Sequence, residues 1–322
     1  MVSEKDQRYS PTTSTSASCR SLSLRQRRGR RQSLREMKLS GCEKCIMNAD
    51  SFRLKGAAQP ISLSDVDQLA PVQLRLKTYL INLDRAEDRL AFMKEELSRV
   101  GLPFERIPAV DGRNLVFPIP EFDAAAYRRC HGRRPNPSEV GCYLSHIECA
   151  NRLLGSDESH ALILEDDVAL PADFRALLRA SLDAGGAWDI LRLSTVNTGR
   201  KYSFLEIMPG RSLAIALTRE KGSGAYVINR RAAKWMVEKL LPMRLPYDIA
   251  YDLEHFAGLR AVFVTPVPVD QFTDFPTQIQ QRRHQRRLPW WFRSTVYPYR
   301  AWLEVTRFSF RLYILLRFRL MK

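Results

Sequence analysis

The run His160-Ala161-Leu162-Ile163-Leu164-Glu165-Asp166-Asp167 restricts what this chain can become more than any other stretch. Ala161 to Leu164 are apolar and lie between Gly155-Ser156 and Pro171, so they read as a short buried strand. Three adjacent carboxylates then stand where that strand leaves its sheet. They repel one another, and neither hairpin nor capping chemistry asks for all three. In open α/β sheets, ligands sit beyond the carboxyl ends of strands. Alternation is expected to put Glu165 and Asp167 on one side and Asp166 on the other. Hard oxygen ligands so placed suit Mg²⁺ or Mn²⁺ beside phosphate oxygens. The plainer reading is a solvated acidic turn.

The charge of the chain separates these readings from a third. Its formal net charge is +16, which on its face belongs to a nucleic-acid binder. Residues 1–55 hold thirteen Lys and Arg against five acids, and residues 282–322 hold eleven against one. The stretch between carries 27 basic and 29 acidic residues, so the basicity belongs to the ends. A near-neutral middle argues against a basic groove on the folded part. Nucleic-acid binding by the Arg-rich ends alone stays open as a rival. Six cysteines show no framework spacing, and Cys42-x-x-Cys45 has no second pair, which fits free thiols in a reducing compartment. No apolar run is long enough to span a bilayer, and the Ser- and Arg-rich start lacks the apolar centre of a secretory signal.

Residues 1–72 are expected to be a disordered basic segment, 73–281 the folded domain, and 282–322 a basic aromatic tail. Within the domain, Thr78 to Leu83 is a strand, and Asp84 with Glu87 forms a capping-box pattern before a helix carrying Leu90, Met93 and Leu97. Phe104 to Ile107 is the second strand. Ser138 is expected to cap a helix through Val140, Leu144 and Ile147. Strands follow at Trp188–Leu193, Leu213–Leu217, Ala225–Ile228 and Ala261–Val264, with Asn197–Arg200 a polar loop and Asn229 a helix cap. Strands alternating with helices give an α/β class with a largely parallel sheet. In the tail, Arg300, Arg307 and Arg311 share one helical stripe. With Trp290, Trp291 and Trp302 they are expected to lie on an anionic membrane surface.

Several of these stretches occur in an order that resembles glycosyltransferase family 25. Tyr79-Leu80-Ile81-Asn82-Leu83-Asp84-Arg85 through Arg89, then Pro108-Ala109-Val110-Asp111-Gly112, is similar to its opening block. Glu139-Val140-Gly141-Cys142-Tyr143-Leu144-Ser145-His146, Leu164-Glu165-Asp166-Asp167-Val168, Gly224-Ala225-Tyr226 and Pro246-Tyr247-Asp248 resemble later ones. The likeness covers about residues 76–272, and the bacterial lipooligosaccharide branch fits better than the larger collagen-modifying one. It implies a GT-A-like, Rossmann-type nucleotide-sugar sheet, a UDP-sugar donor (commonly UDP-galactose), Mn²⁺ or Mg²⁺, and inversion at the anomeric carbon. The acceptor it implies is a lipid-linked or cell-surface glycan, with the enzyme cytoplasmic and peripheral on the inner face of the plasma membrane.

The resemblance also implies roles. Asp167 is the first metal ligand, with Asp166 as a second ligand or, like Glu165, a contact to ribose or metal-bound water. Asn82, Arg85 and Arg89 meet the donor's base or phosphates. Ser145 and His146 belong to the donor site, although a helical His is as readily a packed core residue. Gly224 lets backbone approach the donor, or is a turn glycine. Asp248 is the candidate base for the acceptor hydroxyl, with Asp252 one turn on and Glu254 in reserve; Asp248 as a helix N-cap is the plainer reading. A catalytically inactive scaffold and a metal-dependent phosphohydrolase are the remaining rivals.

Overall fold

Alternation along the central strands sorts their side chains into two cores. In β1 (Lys77–Asn82), Tyr79 and Ile81 face one side and Leu80 the other; in β3 (His160–Glu165), Ala161 and Ile163 oppose Leu162 and Leu164. Both faces are covered, which is why these strands read as unbroken apolar runs rather than as alternating ones. The structure, a computed structural model, describes residues 74–271 and 289–320. The expectations for residues 1–72, Cys42, Cys45 and Arg282 to Arg287 fall outside the described residues.

Eight strands form one sheet. Besides β1 and β3 they are β2 (Glu105–Pro108), β4 (Ile190–Arg192), β5 (Lys201–Met208), β6 (Arg211–Ala216), β7 (Ala225–Asn229) and β8 (Ala261–Thr265), in the order β2-β1-β3-β7-β4-β8-β6-β5. Helices α1 (Glu87–Arg99) and α4 (Phe174–Asp183) cover one face through Met93, Leu97, Phe174 and Leu177. Helices α3 (Pro137–Leu154) and α5 (Arg230–Lys239) cover the other through Val140, Ile147, Ala233 and Met236. Short helix α2 (Ala124–His131) precedes α3; α6 (Tyr247–Ala250) runs into a 3₁₀ segment, Tyr251–Ala257. The expected α/β class is what the chain adopts.

The sheet is mixed rather than largely parallel. β1 lies parallel to both β2 and β3, and β4 to β8, but β7 enters antiparallel between β3 and β4, and β6 pairs antiparallel with both β5 and β8. Strand β5 was not expected. Its residues alternate only weakly between buried and exposed, and it closes on β6 through Gly210, whose φ of +73° is the left-handed conformation glycine adopts without strain. Two expected caps also differ. Asp84 pairs with Arg106 at 2.5 Å instead of capping α1, and Asn136, not Ser138, caps α3 by accepting from the Ser138 N–H. Asn229 caps α5 as expected, accepting from Ala232 N–H at 2.9 Å.

The tail departs most from expectation. Helix α7 (Arg293–Leu320) packs on the domain, against α2, the 3₁₀ segment and strands β5 and β6. Arg307 and Arg311 lie on the same stripe as buried Val296, Leu303 and Ile314, so the cationic stripe faces the core and not a bilayer. Its counter-charges explain this. Asp252 receives Arg192 and Arg311 at 2.7 Å and Arg307 at 2.8 Å, Glu254 receives Arg311 at 2.7 Å, and Arg307 also reaches Glu304 at 2.8 Å. Burial pushes the Asp252 carboxyl up, but Arg311, Arg192 and Arg307 together hold it below the usual carboxylate range. Removing one partner from such a network strands a buried charge. Arg311→Leu is therefore expected to lower unfolding free energy by about 3–5 kcal/mol in urea titrations, whereas Arg317→Ala on the exposed face leaves the midpoint unchanged.

Candidate active site

Parallel register sets β1 beside β3 with Ile81 opposite Glu165, so both strands release their next residues at the same edge. Asn82 and the acidic triplet meet there. Asn82 Nδ2 donates to Asp166 at 2.8 Å, and Arg89, on the first turn of α1, donates to Asp166 at 2.7 Å and to Asp167 at 3.2 Å. Strand β3 ends at Glu165, and a turn follows. Alternation ends with it, so Asp166 and Asp167 share one arginine instead of pointing to opposite sides.

These groups line a solvent-open cleft of about 140 Å³, together with Arg85, Asp111, Gly112, Ser138, Cys142, Ser145 and His146. The Ala109–Gly112 loop forms one wall, held against the first turns of α3. A Cβ on Gly141 would come within 2.2 Å of the Val110 carbonyl oxygen, so only glycine permits that approach. Ser145, fully buried, accepts from Val110 N–H at 2.9 Å and donates to the Gly141 carbonyl at 2.8 Å. Its work is to hold the loop. At the mouth, Asp111 pairs with Arg85 and with Arg113, and the Arg113 bond holds its carboxyl below the usual range.

His146 is buried and stacked on Tyr247 with ring centroids 4.0 Å apart; its Nδ1 bonds the Tyr226 hydroxyl at 2.9 Å, and its Nε2 lies 3.4 Å from Glu165. Glu165 also accepts from the Ser223 hydroxyl at 2.6 Å. Burial raises the Glu165 carboxyl, but His146, Ser223 and Arg89 outweigh it and hold the group below its ordinary value. Asp167 is the opposite case. Burial, then Glu165 and Asp166, push it up to about 7 against Arg89. Three acids crowd this edge, and Asp167 is the one whose ionisation they and burial oppose most. A hard divalent cation fits that oxygen donor. Both Asp166 oxygens already accept from Asn82 and Arg89, which makes Asp166 the weaker ligand of the two. Cys142, His146 and Glu165 also gather their ligand atoms within 4.8 Å of one another, but their softer donor set sits deeper in the cleft.

Two expected site residues play other parts, although Gly224 lies next to the cleft, its carbonyl accepting from Glu165 N–H at 2.8 Å. Gly224 is buried, and a Cβ there would overlap the Gln271 side chain at 1.7 Å; Gln271, not a donor molecule, occupies the space that the missing side chain leaves. Asp252 is wholly buried under three arginines and is a structural counter-charge, as is Glu254 beneath Arg311. Neither can reach an acceptor hydroxyl. Asp248 does keep partial exposure, beside Lys221 and close to the cleft residue Cys142. Burial lifts its carboxyl above the ordinary range, with Lys221 opposing. Asp111, Cys142 and Ser223 carry no assigned role in the sequence reading. Asp111 and Cys142 stand inside the blocks that resemble the family, and glycines flank Ser223.

Because Asp167 holds a proton up to about pH 7, a cation there must displace it. Mn²⁺ affinity is expected to rise by about tenfold per pH unit below 7 and to level off above, with Asp167→Asn abolishing the dependence in calorimetric titrations. In metal-free protein the folded form keeps a proton that the unfolded chain has lost between about pH 4 and 7. Stability therefore falls as pH rises through that window, and Asp167→Asn flattens the fall in urea melts.

Comparison with known proteins gives the family. Residues 75–251 match the profile of glycosyltransferase family 25, described as an LPS biosynthesis protein. A glycosyltransferase 25 family member of Aedes aegypti is 31% identical over 181 residues, which is 53% of this chain and 29% of that protein. Procollagen galactosyltransferase 1-B of Xenopus laevis is 25% identical over 240 residues, 65% of this chain and 38% of the relative. The chain thus spans less than half the length of either. A crystal structure of a glycosyltransferase involved in glycosylation of the major capsid of PBCV-1 aligns at a TM-score of 0.27 with 11% identity, covering 50% of this chain and 62% of that one. With residues 75–251, more than half its length, matched by the family profile, the chain belongs to glycosyltransferase family 25.

Proposed function

We propose that the protein is an inverting, metal-dependent glycosyltransferase that moves a hexose, galactose from UDP-galactose, onto a lipopolysaccharide or related glycan. The observation that supports this most is the pair Asp166 and Asp167, bridged by Arg89 in an open cleft at the end of a strand in a family 25 domain. Asp167 is the residue that would hold Mn²⁺ or Mg²⁺, and the bound cation supplies positive charge beside the departing diphosphate. Arg89 and Arg85 line the cleft as further cations for the donor's phosphates. Asn82 fixes Asp166, so the acidic edge is ordered before ligand arrives.

Asp248 accepts the proton of the acceptor hydroxyl as its oxygen bonds the anomeric carbon and the bond to the diphosphate breaks on the opposite face. Its raised carboxyl suits a base better than an exposed aspartate would. A base of this kind contributes about 10²–10⁴-fold. With UDP-galactose, Mn²⁺ and a glycan acceptor, Asp248→Asn is expected to lower turnover by that factor while UDP affinity is kept. Asp167→Ala loses both. Folded protein that neither binds UDP nor turns over any nucleotide sugar with Mn²⁺ or Mg²⁺ leaves the scaffold reading in its place.

Peripheral attachment to the inner membrane face belongs to the same proposal, now resting on the outward side of α7. Trp302, Val305, Phe308, Tyr313 and Leu316 are exposed along one helical face, opposite the buried arginines, and Trp290 is 75% exposed just before it. Interfacial aromatics beside basic residues favour headgroup-depth binding, and no described helix is long and apolar enough to cross a membrane. Co-sedimentation with vesicles containing phosphatidylglycerol is expected for the full chain and is reduced several-fold by combined Trp290→Ala, Trp291→Ala and Trp302→Ala. Equal binding by that variant refutes the assignment.

A further inference from the structure

A group of cations near the loop that meets Tyr251, three residues after Asp248, is left unused by the donor chemistry. The loop before β7 carries Arg219, Glu220 and Lys221. Glu220 turns inward and is fully buried, taken up by Lys201 at 3.1 Å and the Thr195 hydroxyl at 2.8 Å. Its neighbours are thereby left on the other side. The loop's backbone is pinned: Arg219 O accepts from Asn197 Nδ2 at 3.1 Å, Lys221 O from Val196 N–H at 3.1 Å, and Gly222 O from the Tyr251 hydroxyl at 2.6 Å. Two further cations arrive from other elements. Arg133 follows the left-handed Gly132 that ends α2, and Arg300 of α7 bonds the His131 carbonyl at 2.9 Å.

Compensation within this group is poor. Among the described residues, Arg133, Lys221 and Arg300 form no ion pair, and Arg219 reaches only Glu304, at 3.9 Å. Burial and then Arg219 depress the proton affinity of both Lys221 and Arg300, with Arg133 adding to each. His131, buried beneath them with Nδ1 unpartnered among the described residues, is held neutral down to about pH 3 by burial and the same cations. Asp248 is the acid that eases Lys221. The loop's hydrogen bonds hold Arg219 and Lys221, Glu304 on α7 draws Arg219 to the helix that carries Arg300, and Arg300 bonds the His131 carbonyl two residues before Arg133. Like charges gathered in this way cost free energy unless an anion joins them.

We infer that Arg133, Arg219, Lys221 and Arg300 form an anion site beside Asp248 that takes an oxyanion, phosphate ester or carboxylate, carried by the acceptor sugar. The assignment rests on the proposed role of Asp248, because that role puts the acceptor hydroxyl within reach of Lys221. The donor diphosphate belongs at the other end, with Arg89 and Asp167. Arginine forks from two directions suit a tetrahedral or planar oxyanion, and Lys221 adds a point charge next to the reacting hydroxyl. Such a site selects acidic acceptors over neutral ones and orients the sugar by a group that takes no part in bond making.

The test is calorimetric titration of the full chain with UDP, then, with and without UDP, with glucose 6-phosphate, glucuronate, glucose and inorganic phosphate. Glucose 6-phosphate, glucuronate or both are expected to bind at least about tenfold tighter than glucose and to remain bound with UDP present; which of the two binds identifies the oxyanion. Inorganic phosphate binding as tightly as either sugar anion would overturn the acceptor assignment in favour of a free-phosphate site. Lys221→Gln and, separately, Arg133→Ala at its exposed position should each weaken the sugar anion about tenfold and leave UDP affinity within about twofold. The inference is overturned if acidic sugars bind no better than glucose, if both variants bind them unchanged, or if the variants lose UDP in equal measure, which would give these cations to the donor. Absence of UDP binding by the parent chain strikes the donor reading alone, since the sugar titrations without UDP still decide the anion site.

Discussion

Three carboxylates at one strand end are tolerable only because Arg89 bridges two of them and His146 with Ser223 engages the third. Burial and the neighbouring acids still oppose the ionisation of Asp167, and that opposition organises what surrounds it. Asn82 spends its amide on Asp166, Ser145 spends its hydroxyl on the wall loop, and Gly141 gives up a side chain so that the loop can close. None of these residues carries the charge in question. Each removes a degree of freedom from the cleft, so the crowding of acids at Asp167 does not relax by local rearrangement.

The molecule handles its two buried charge clusters in different ways. Around Asp252 and Glu254, cations and acids are brought to 2.7–2.8 Å and sealed from water. Around Asp167 the cleft stays open, and the nearest arginine is shared. A sealed cluster supports structure; an open one crowded with acids is poised for a ligand. The same distinction separates Asp248, partly exposed with a raised carboxyl, from Asp252 four residues later.

Much of this could be read from the chain, and the misses have physical causes. The buried runs at Ala161 to Leu164 and Ala225 to Ile228 fixed two central strands because burial on both faces leaves a continuous apolar signal. Asn229 was legible as a cap because capping is local. Strand direction was not, since β7 runs antiparallel through contacts made entirely with distant segments. The arginine stripe of α7 was found with the right period and the wrong environment. Periodicity identifies which residues share a face, but the acids that draw that face inward lie some fifty residues earlier in the chain. Gly224 was misjudged for a related reason: the Gln271 amide that fills its space comes from beyond β8.

The family profile ends at residue 251, one position before the first acid of the sealed cluster, while the arginines that satisfy it come from strand β4 and from α7. The boundary of the matched profile and the boundary of electrical neutrality therefore do not coincide. A fragment cut at the former keeps Arg192 in its interior and discards the carboxylate opposite it. Grafting the matched segment onto another scaffold would accordingly demand that the recipient bring its own acid to that position, or that Arg192 be replaced by an apolar side chain of similar bulk.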